Sequence, residues 1–318
     1  MKRLLLILAL APAQAGAFSM EFPVDCILGE TCHIQQYMDR DASPGHTDFT
    51  CGTLSYNDHS GTDIALPTLA TMQKGVAVRA AAAGVVKGVR DGMPDISVRD
   101  PAAPPLNGRD CGTGLVIDHG DGWETQYCHM ARGSVLVKPD QTVVAGQALG
   151  LVGLSGNTEF PHLHLSLRRN GAEIDPFDPD GTATCGVGPD APLWADPVAY
   201  VPAGLITTGL ADAVPDYDAI KAGLPLAPVT TASPAMVVWA YYFGSQAGDT
   251  LDMSISGPDG GTIVAETVTL DRTQAMGFRA VGKRLRGADW PVGSYALSVT
   301  FTRNGTVLDQ ANTTVTVN

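Results

Sequence analysis

The fold of this chain is indicated most clearly by one short stretch, Pro161-His162-Leu163-His164-Leu165-Ser166-Leu167. In a β-strand, successive side chains point to opposite faces. The three leucines of this stretch would then be buried on one face, and His162, His164 and Ser166 would share the other. Two imidazoles presented together by an anchored strand favour a metal site or an acid–base pair. A polar sheet face without a metal is the alternative.

A second group of the same chemistry lies well upstream, in His59-Ser60-Gly61-Thr62-Asp63. A loop that leads into a strand could present both His59 and Asp63, and Gly61 makes a helical arrangement of the pair less favourable. Imidazole nitrogen and carboxylate oxygen are among the ligands that zinc prefers. The two stretches together therefore predict a zinc site, although Asp63 taken alone would be interpreted as a turn residue.

The rest of the chain predicts an all-β protein. Short apolar runs are separated by Gly, Pro, Asn and Asp, and helical periodicity is scarce. We expect a hairpin across the Gly-Asp-Gly turn at 120–122, with His129 on its second strand and with Tyr127 and Thr125 on the same side. A Pro-rich loop is expected at 90–110. Strands are expected at residues 76–80, 84–89, 114–119, 124–129, 134–137 and 148–152.

Composition shifts along the chain predict two domains. A disulfide-bearing domain would span 18–200, with its chemical motifs within about 50–180. A linker rich in Pro, Ala, Gly and Thr would follow at 201–233, with a short helix ended by Gly223. Residues 234–318 contain six or seven short alternating strands but no cysteine or histidine. That pattern is typical of an immunoglobulin-like β-sandwich.

The amino terminus predicts export. Residues 1–17 combine Lys2 and Arg3, a short apolar run and small residues, which is the pattern of a cleaved signal peptide. No later segment predicts a membrane span, so we expect a periplasmic or extracellular protein. Acidic residues outnumber basic ones by 33 to 20, and the formal net charge of −13 argues against nucleic-acid binding and against anionic membranes.

An even number of cysteines in an exported chain predicts three disulfides. The hairpin flanks favour a Cys111–Cys128 bridge, and short spacing favours Cys26–Cys32, which leaves Cys51 with Cys185. Six cysteines allow many other pairings. Zinc bound by cysteine is the rival interpretation, but the chain contains no C-x-x-C pair.

Three motifs carry a family resemblance: His-x-Gly-x-Asp-Ile-Ala at 59–65, Tyr-x-His-Met at 127–130, and Gly-x-Ser-Gly-Asn-Thr-x-x-Pro-His-Leu-His-Leu at 153–165. In their order, spacing and flanking glycines they resemble the LytM/lysostaphin family of zinc metallopeptidases. The resemblance covers roughly residues 50–180. It implies a compact antiparallel β barrel-sandwich hybrid fold and cleavage of peptide bonds in bacterial peptidoglycan.

The resemblance also implies roles for five residues. It makes His59, Asp63 and His164 the ligands of one Zn²⁺ per chain, and it places His129 and His162 beside the bound water and the substrate carbonyl. Three protein ligands leave a fourth position for water, as in catalytic zinc sites. A water activated in this way has a pKa near ~7.

Three further residues are candidates for substrate binding or support of the site. Tyr127 would either orient groups near the site or pack in the core. Ser155 and Asn157 belong to a predicted tight turn before the histidine strand, with direct substrate contact as the alternative.

These observations predict an exported zinc endopeptidase that hydrolyses cross-links or stem peptides of peptidoglycan through a zinc-activated water. One alternative is a non-catalytic regulator of wall hydrolases with the same fold. The other is an exported metallopeptidase that acts on proteins. The C-terminal domain would bind the wall or a protein partner, or would serve as a spacer.

Overall fold

The computed structural model describes residues 17–185 and 191–318, and these are almost entirely β-structure. The predicted all-β class is therefore confirmed. The predicted signal peptide, residues 1–17, lies outside the described residues except for Ala17. In the described ranges, no helix is both long and apolar enough to cross a membrane.

The first part of the described chain contains ten strands and one short helix: β1 (His33–Gln36), β2 (Thr62–Ala65), α1 (Leu69–Gln73), β3 (Ala77–Arg79), β4 (Gly84–Arg90), β5 (Thr113–Gly120), β6 (Trp123–Met130), β7 (Thr142–Val143), β8 (Ala148–Leu151), β9 (His162–Arg169) and β10 (Ala172–Ile174). Seven strands form an antiparallel sheet in the order β1-β2-β9-β6-β5-β4-β7, and β10 adds an eighth by pairing with β9. Strands β3 and β8 form a separate antiparallel pair.

Strand β9 lies inside the large sheet, between β2 and β6. Leu163, Leu165 and Leu167 are at most 1% exposed and belong to the main hydrophobic core. Burying side chains of this size stabilises the fold by roughly 1.5–3 kcal/mol each. The strand and the alternation of its leucines are as predicted.

The β5–β6 hairpin turns through Asp121 and Gly122, which both have positive φ (50° and 80°). Two consecutive residues of this kind are typical of a type I′ turn, whose twist matches that of paired strands. The hairpin predicted at 120–122 is therefore confirmed.

One predicted strand is wrong. Residues 134–137 are irregular, although Leu136 N–H donates to Leu149 O at 2.9 Å. A turn precedes the segment, where Ser134 N–H donates to Ala131 O, and Pro139 follows it without an N–H to contribute. A short apolar run is not sufficient for a strand when no partner can form a ladder beside it.

The six cysteines form three disulfides, and the pairing is the one expected from the sequence: Cys26–Cys32, Cys51–Cys185 and Cys111–Cys128. No cysteine is left as a thiolate ligand for a metal.

The second part of the described chain contains seven strands and one short helix: β11 (Gly204–Ala211), α2 (Tyr217–Ala222), β12 (Ala235–Ser245), β13 (Thr250–Ser256), β14 (Thr262–Thr269), β15 (Gln274–Arg284), β16 (Gly293–Arg303) and β17 (Thr306–Val317). They form two sheets, β11-β12-β15 and β14-β13-β16-β17, around a shared apolar core. If the strands are lettered A to G, the sheets are ABE and DCFG, whereas a constant-type immunoglobulin domain has ABED and CFG. The two sheets packed on one core form a β-sandwich. Its immunoglobulin-like character stays a prediction.

The predicted linker, 201–233, contains structure that the sequence analysis did not assign. Strand β11 pairs with β12, so the sandwich begins at Gly204 rather than at residue 234. The short helix before Gly223 is confirmed as α2, which ends where Gly223 adopts φ 70°. The sequence of strand β11, GLITTGLA, does not alternate apolar and polar residues, so its pairing depends on a partner that local sequence does not reveal.

Candidate metal centre and catalytic cleft

The candidate metal centre begins with the pairing of β2 and β9. Asp63 lies directly opposite His164, and Ala65 lies opposite His162. Residues paired in this way present their side chains on the same face of the sheet. Strand pairing therefore places the Asp63 carboxylate beside His164, on the face that also carries His162.

His59 reaches the same point from the loop that precedes β2. Its Nδ1 lies 2.7 Å from the carbonyl oxygen of Tyr37. Because a carbonyl only accepts, Nδ1 carries the proton and Nε2 keeps a lone pair directed at the centre. Gly61 allows the close approach: a Cβ there would lie 2.7 Å from His164 Nε2 and 2.6 Å from Leu165 O.

Three potential ligand atoms converge at this point. His59 Nε2 lies 3.2 Å from Asp63 Oδ1 and 3.2 Å from His164 Nδ1, and the last two atoms are 2.8 Å apart. Zinc bonds of 2.0–2.2 Å in a tetrahedron would separate such atoms by about 3.3 Å. The donor types and spacing therefore fit a zinc ion, which His59, Asp63 and His164 would hold. Ser166 Oγ lies 3.0 Å from His164 Nε2 and fixes that ring.

Two more imidazoles border the centre without belonging to this group. His162 Nδ1 is 2.9 Å from Phe160 O, and His129 Nδ1 is 2.8 Å from Ser155 O. Both carbonyls must accept, so each histidine has a free Nε2. The two ring centroids are 4.7 Å apart, and His162 Nε2 lies 3.4 Å from Asp63 Oδ1. Both free nitrogens are suited to proton transfer beside the centre.

The backbone at His129 corrects one expectation. Tyr127 lies opposite Leu165, so it faces the leucine core, and regular alternation would place His129 there too. Instead, His129 has φ 60°, and the β5–β6 register shifts between Thr113 and Leu115. This irregularity turns the His129 ring towards His162. The prediction that His129 shares a side with Tyr127 and Thr125 is wrong, because a bulge next to the site changes the direction of the side chain.

The three candidate support residues occupy different environments. Tyr127 is fully buried, and its hydroxyl accepts from Ala81 N–H at 2.8 Å, so it packs in the core. Ser155 is also fully buried: its Oγ donates to Met130 O and accepts from Thr113 N–H. Its own carbonyl holds His129, so Ser155 supports the site.

Asn157 alone of these three residues borders the cleft. Its backbone N–H donates to Asp110 O at 2.8 Å, and its side chain is exposed. The structure therefore leaves its carboxamide available to a ligand.

The electrostatics of the centre suit a bound cation. Burial opposes ionisation of Asp63, but the surrounding imidazoles outweigh it and hold the pKa of this carboxyl well below its usual range. Burial opposes protonation of His59, while the charge of Asp63 and its hydrogen bond raise the pKa of that ring. Burial and neighbouring imidazoles lower the pKa of His129 to about 3. A carboxylate is thus held ionised, with a neutral imidazole nearby.

A cleft of about 380 Å³ opens beside the centre. Its lining includes Asp63, His129 and His162, and also Gln36, which the sequence analysis missed. Gln36 lies opposite Asp63 in the β1–β2 pair, after a register shift between Ile34 and Gln36. Strand β1 lies between two cysteine-containing segments and shows no motif, so only its pairing could have revealed this residue.

The part of the chain that matches a known protein family is the part that contains the candidate site. Residues 57–176 match Peptidase family M23. This match confirms the resemblance indicated by the three motifs. The matched range contains the three potential metal ligands and both flanking histidines, whereas Gln36 and the C-terminal sandwich lie outside it.

Two curated relatives are named as endopeptidases. DD-carboxypeptidase/endopeptidase Mpg of Neisseria meningitidis is 32% identical over 120 residues, which cover 37% of this chain and 22% of the relative. Peptidoglycan DD-endopeptidase ShyA of Vibrio cholerae is 33% identical over 117 residues, with the same coverage of 37% and 22%. The matched part of this chain thus spans less than a quarter of either relative.

Among solved structures, the catalytic domain of lysostaphin from Staphylococcus simulans is 20% identical and covers 44% of this chain and 85% of its own. The TM-score is 0.29.

Proposed function

We propose that this protein is an exported zinc-dependent endopeptidase that hydrolyses peptide bonds of bacterial peptidoglycan. The observation that carries the proposal is the convergence of His59 Nε2, Asp63 Oδ1 and His164 Nδ1 within 3.2 Å of one another. The free Nε2 atoms of His129 and His162 border this point. Three ligands with catalytic groups beside them are typical of a catalytic metal site.

A bound Zn²⁺ would lower the pKa of a water molecule and polarise a carbonyl group. The chain supplies the remaining chemistry. The Nε2 lone pair of His129 or His162 would accept the proton that the attacking water gives up, and the imidazolium formed in this way would donate that proton to the leaving amine. The carbonyls of Ser155 and Phe160 fix the tautomers that this requires.

Several features support the peptides of peptidoglycan as the substrate and support export of the protein. Both relatives described above are named as endopeptidases, and the name of the Vibrio cholerae relative specifies peptidoglycan. The signal-peptide pattern of residues 1–17 and three disulfides fit an oxidising compartment, periplasmic or extracellular. One zinc ion per chain is sufficient for the arrangement.

The proposal is tested by incubating the mature protein with purified peptidoglycan, with and without a chelator, and identifying new amino termini by mass spectrometry. Cleavage that the chelator abolishes and added zinc restores is the expected result. The zinc-loaded His162→Ala variant is the control for contaminating hydrolases. Wall binding without cleavage would instead indicate a regulator, and cleavage of unfolded proteins but not of wall would indicate a protein-directed peptidase.

A further inference from the structure

One wall of the catalytic cleft comes from the C-terminal sandwich. Ala275 and Met276, on strand β15, line the same cleft as Asp63, His129 and His162. Strand β15 pairs with β12 on one side and is the last strand of its sheet. The edge carbonyl of Ala275 is already paired, since it accepts from Gln35 Nε2 at 2.7 Å. The sandwich therefore contributes Ala275 and Met276 as a packing surface beside the cleft.

Contacts from strand β1 hold this wall in place. Gln35, which is fully buried, donates from Nε2 to Ala275 O at 2.7 Å. Its Oε1 lies 2.9 Å from His33 Nε2, and the His33 ring stacks on Phe243 of β12 with centroids 4.4 Å apart. Phe243 belongs to the core of the peptidase domain. These contacts make β15 a fixed part of the cleft.

The residue next to this anchor faces the cleft with unused hydrogen-bonding capacity. Gln36 is 7% exposed, and its Oε1 is buried with no hydrogen-bond partner among the described residues. Its neighbour across the β1–β2 pair is Asp63. A buried carboxamide is costly to leave unpaired. A carboxamide carries both a donor and an acceptor, so it complements a peptide main chain.

The cleft adjoins further space on the side of Met276. A second cavity of about 310 Å³ shares Glu159, Phe160 and Met276 with the cleft and continues towards α2. Phe160 also stacks on His162, with centroids 4.4 Å apart. Phe160 and Met276 therefore border both cavities.

We propose that the C-terminal sandwich is part of the substrate-binding site. An extended substrate peptide lies along the β15 edge at Ala275–Met276, and the Gln36 carboxamide hydrogen-bonds its main chain next to the scissile bond. This inference rests on the proposed peptidase function and adds the determinant of substrate binding. Gln36 and β15 are positioning elements here, since they act on the peptide and not on the reacting atoms.

The first test compares two substitutions with matched controls. Ala275→Trp places an indole in the cleft and Gln36→Leu removes only the carboxamide. Each should raise KM for a soluble cross-linked muropeptide about tenfold, the equivalent of roughly one hydrogen bond, with kcat within about twofold. Ala265→Trp, on the exposed face of β14, and Gln310→Leu, on exposed β17, should leave both constants unchanged. Zinc content and thermal unfolding of all four variants should match those of the parent.

The second test measures binding without turnover, by calorimetry on the zinc-loaded protein. Acetohydroxamate can bind through the metal alone. A dipeptidyl hydroxamate would also contact Gln36 and the β15 side of the cleft. Ala275→Trp and Gln36→Leu should weaken binding of the dipeptidyl compound about tenfold and leave acetohydroxamate binding unchanged.

Equal binding of the dipeptidyl compound by parent and variants would overturn the inference. The proposed function fails in a different way: the parent would bind the dipeptidyl hydroxamate and yet release no peptide from wall material.

Discussion

Asp63 and His164 face each other across the β2–β9 pair, with Oδ1 and Nδ1 2.8 Å apart. The contact is fixed by strand register, because a slip of one residue would turn one of the two side chains to the opposite face. His162, on the same strand, lies two pairs further along, opposite Ala65, and so returns to the same face. Neighbouring positions on one face of β9 thus carry His164, a potential metal ligand, and His162, the proposed catalytic group.

The two histidines of β9 should differ in their effect on metal content. His164→Ala removes a potential ligand atom. Zinc affinity should therefore fall by more than the ~10–100-fold that is typical when a residue hydrogen-bonded to a metal ligand is replaced. His162→Ala should keep its zinc and lose roughly 10²–10⁴-fold in kcat. Metal analysis of the purified variants, together with turnover of a soluble muropeptide, checks both. Equal zinc loss in the two variants would contradict the division of roles.

The left-handed backbone at His129 should make this position sensitive to residue shape as well as to chemistry. Asn tolerates φ near 60°, whereas a β-branched residue does not. His129→Val should therefore be less stable than His129→Asn by about 1–3 kcal/mol. Urea unfolding measures the difference. Both variants should lose turnover, since neither has an imidazole, and equal stability would show that the backbone is not strained here.

The disulfides should contribute unequally to stability. Cys51–Cys185 closes a loop of 134 residues, whereas Cys26–Cys32 closes one of 6. In the chain-entropy model, replacing the long-range pair by serine costs about 5 kcal/mol and replacing the short-range pair about 2 kcal/mol. Denaturant unfolding of the two double variants checks the order. A smaller loss for the long-range pair would contradict it.

Asp175 should give stability a specific pH dependence. Burial raises the pKa of this carboxyl to about 6, and its Oδ2 has no hydrogen-bond partner among the described residues. Between its ordinary pKa of ~3.9 and about 6, the folded protein keeps a proton that the unfolded chain has released. Its contribution to the free energy of unfolding should therefore fall as pH rises through that window, by about 3 kcal/mol in total.

The Asp175→Asn variant should lack this contribution. Its free energy of unfolding, relative to the parent, should rise across the same window and level off above about pH 6. Asp121→Asn, at an exposed turn, is the matched control and should follow the parent. A constant difference between Asp175→Asn and the parent at all pH values would show that Asp175 does not titrate in this range.

Much of this arrangement could be predicted from local sequence. The leucine alternation of β9, the Asp-Gly turn of the β5–β6 hairpin and the strands that follow residue 234 all depend on short-range periodicity and turn chemistry. Strands β1 and β11 were not predicted, because their residues lack a clear pattern and their pairing partners are distant in sequence.

The sequence by itself determined the all-β class. It also predicted the cysteine pairing that the structure shows and the group of His59, Asp63 and His164 that the structure brings together, because these predictions depend on residue types and their spacing. Only the tertiary structure decided three things. A bulge turns His129 towards His162, the β1–β2 register puts Gln36 beside Asp63, and the sandwich brings β15 to the cleft. The physical reason is that register shifts and domain packing arise from contacts between distant segments, which periodicity along one segment does not record.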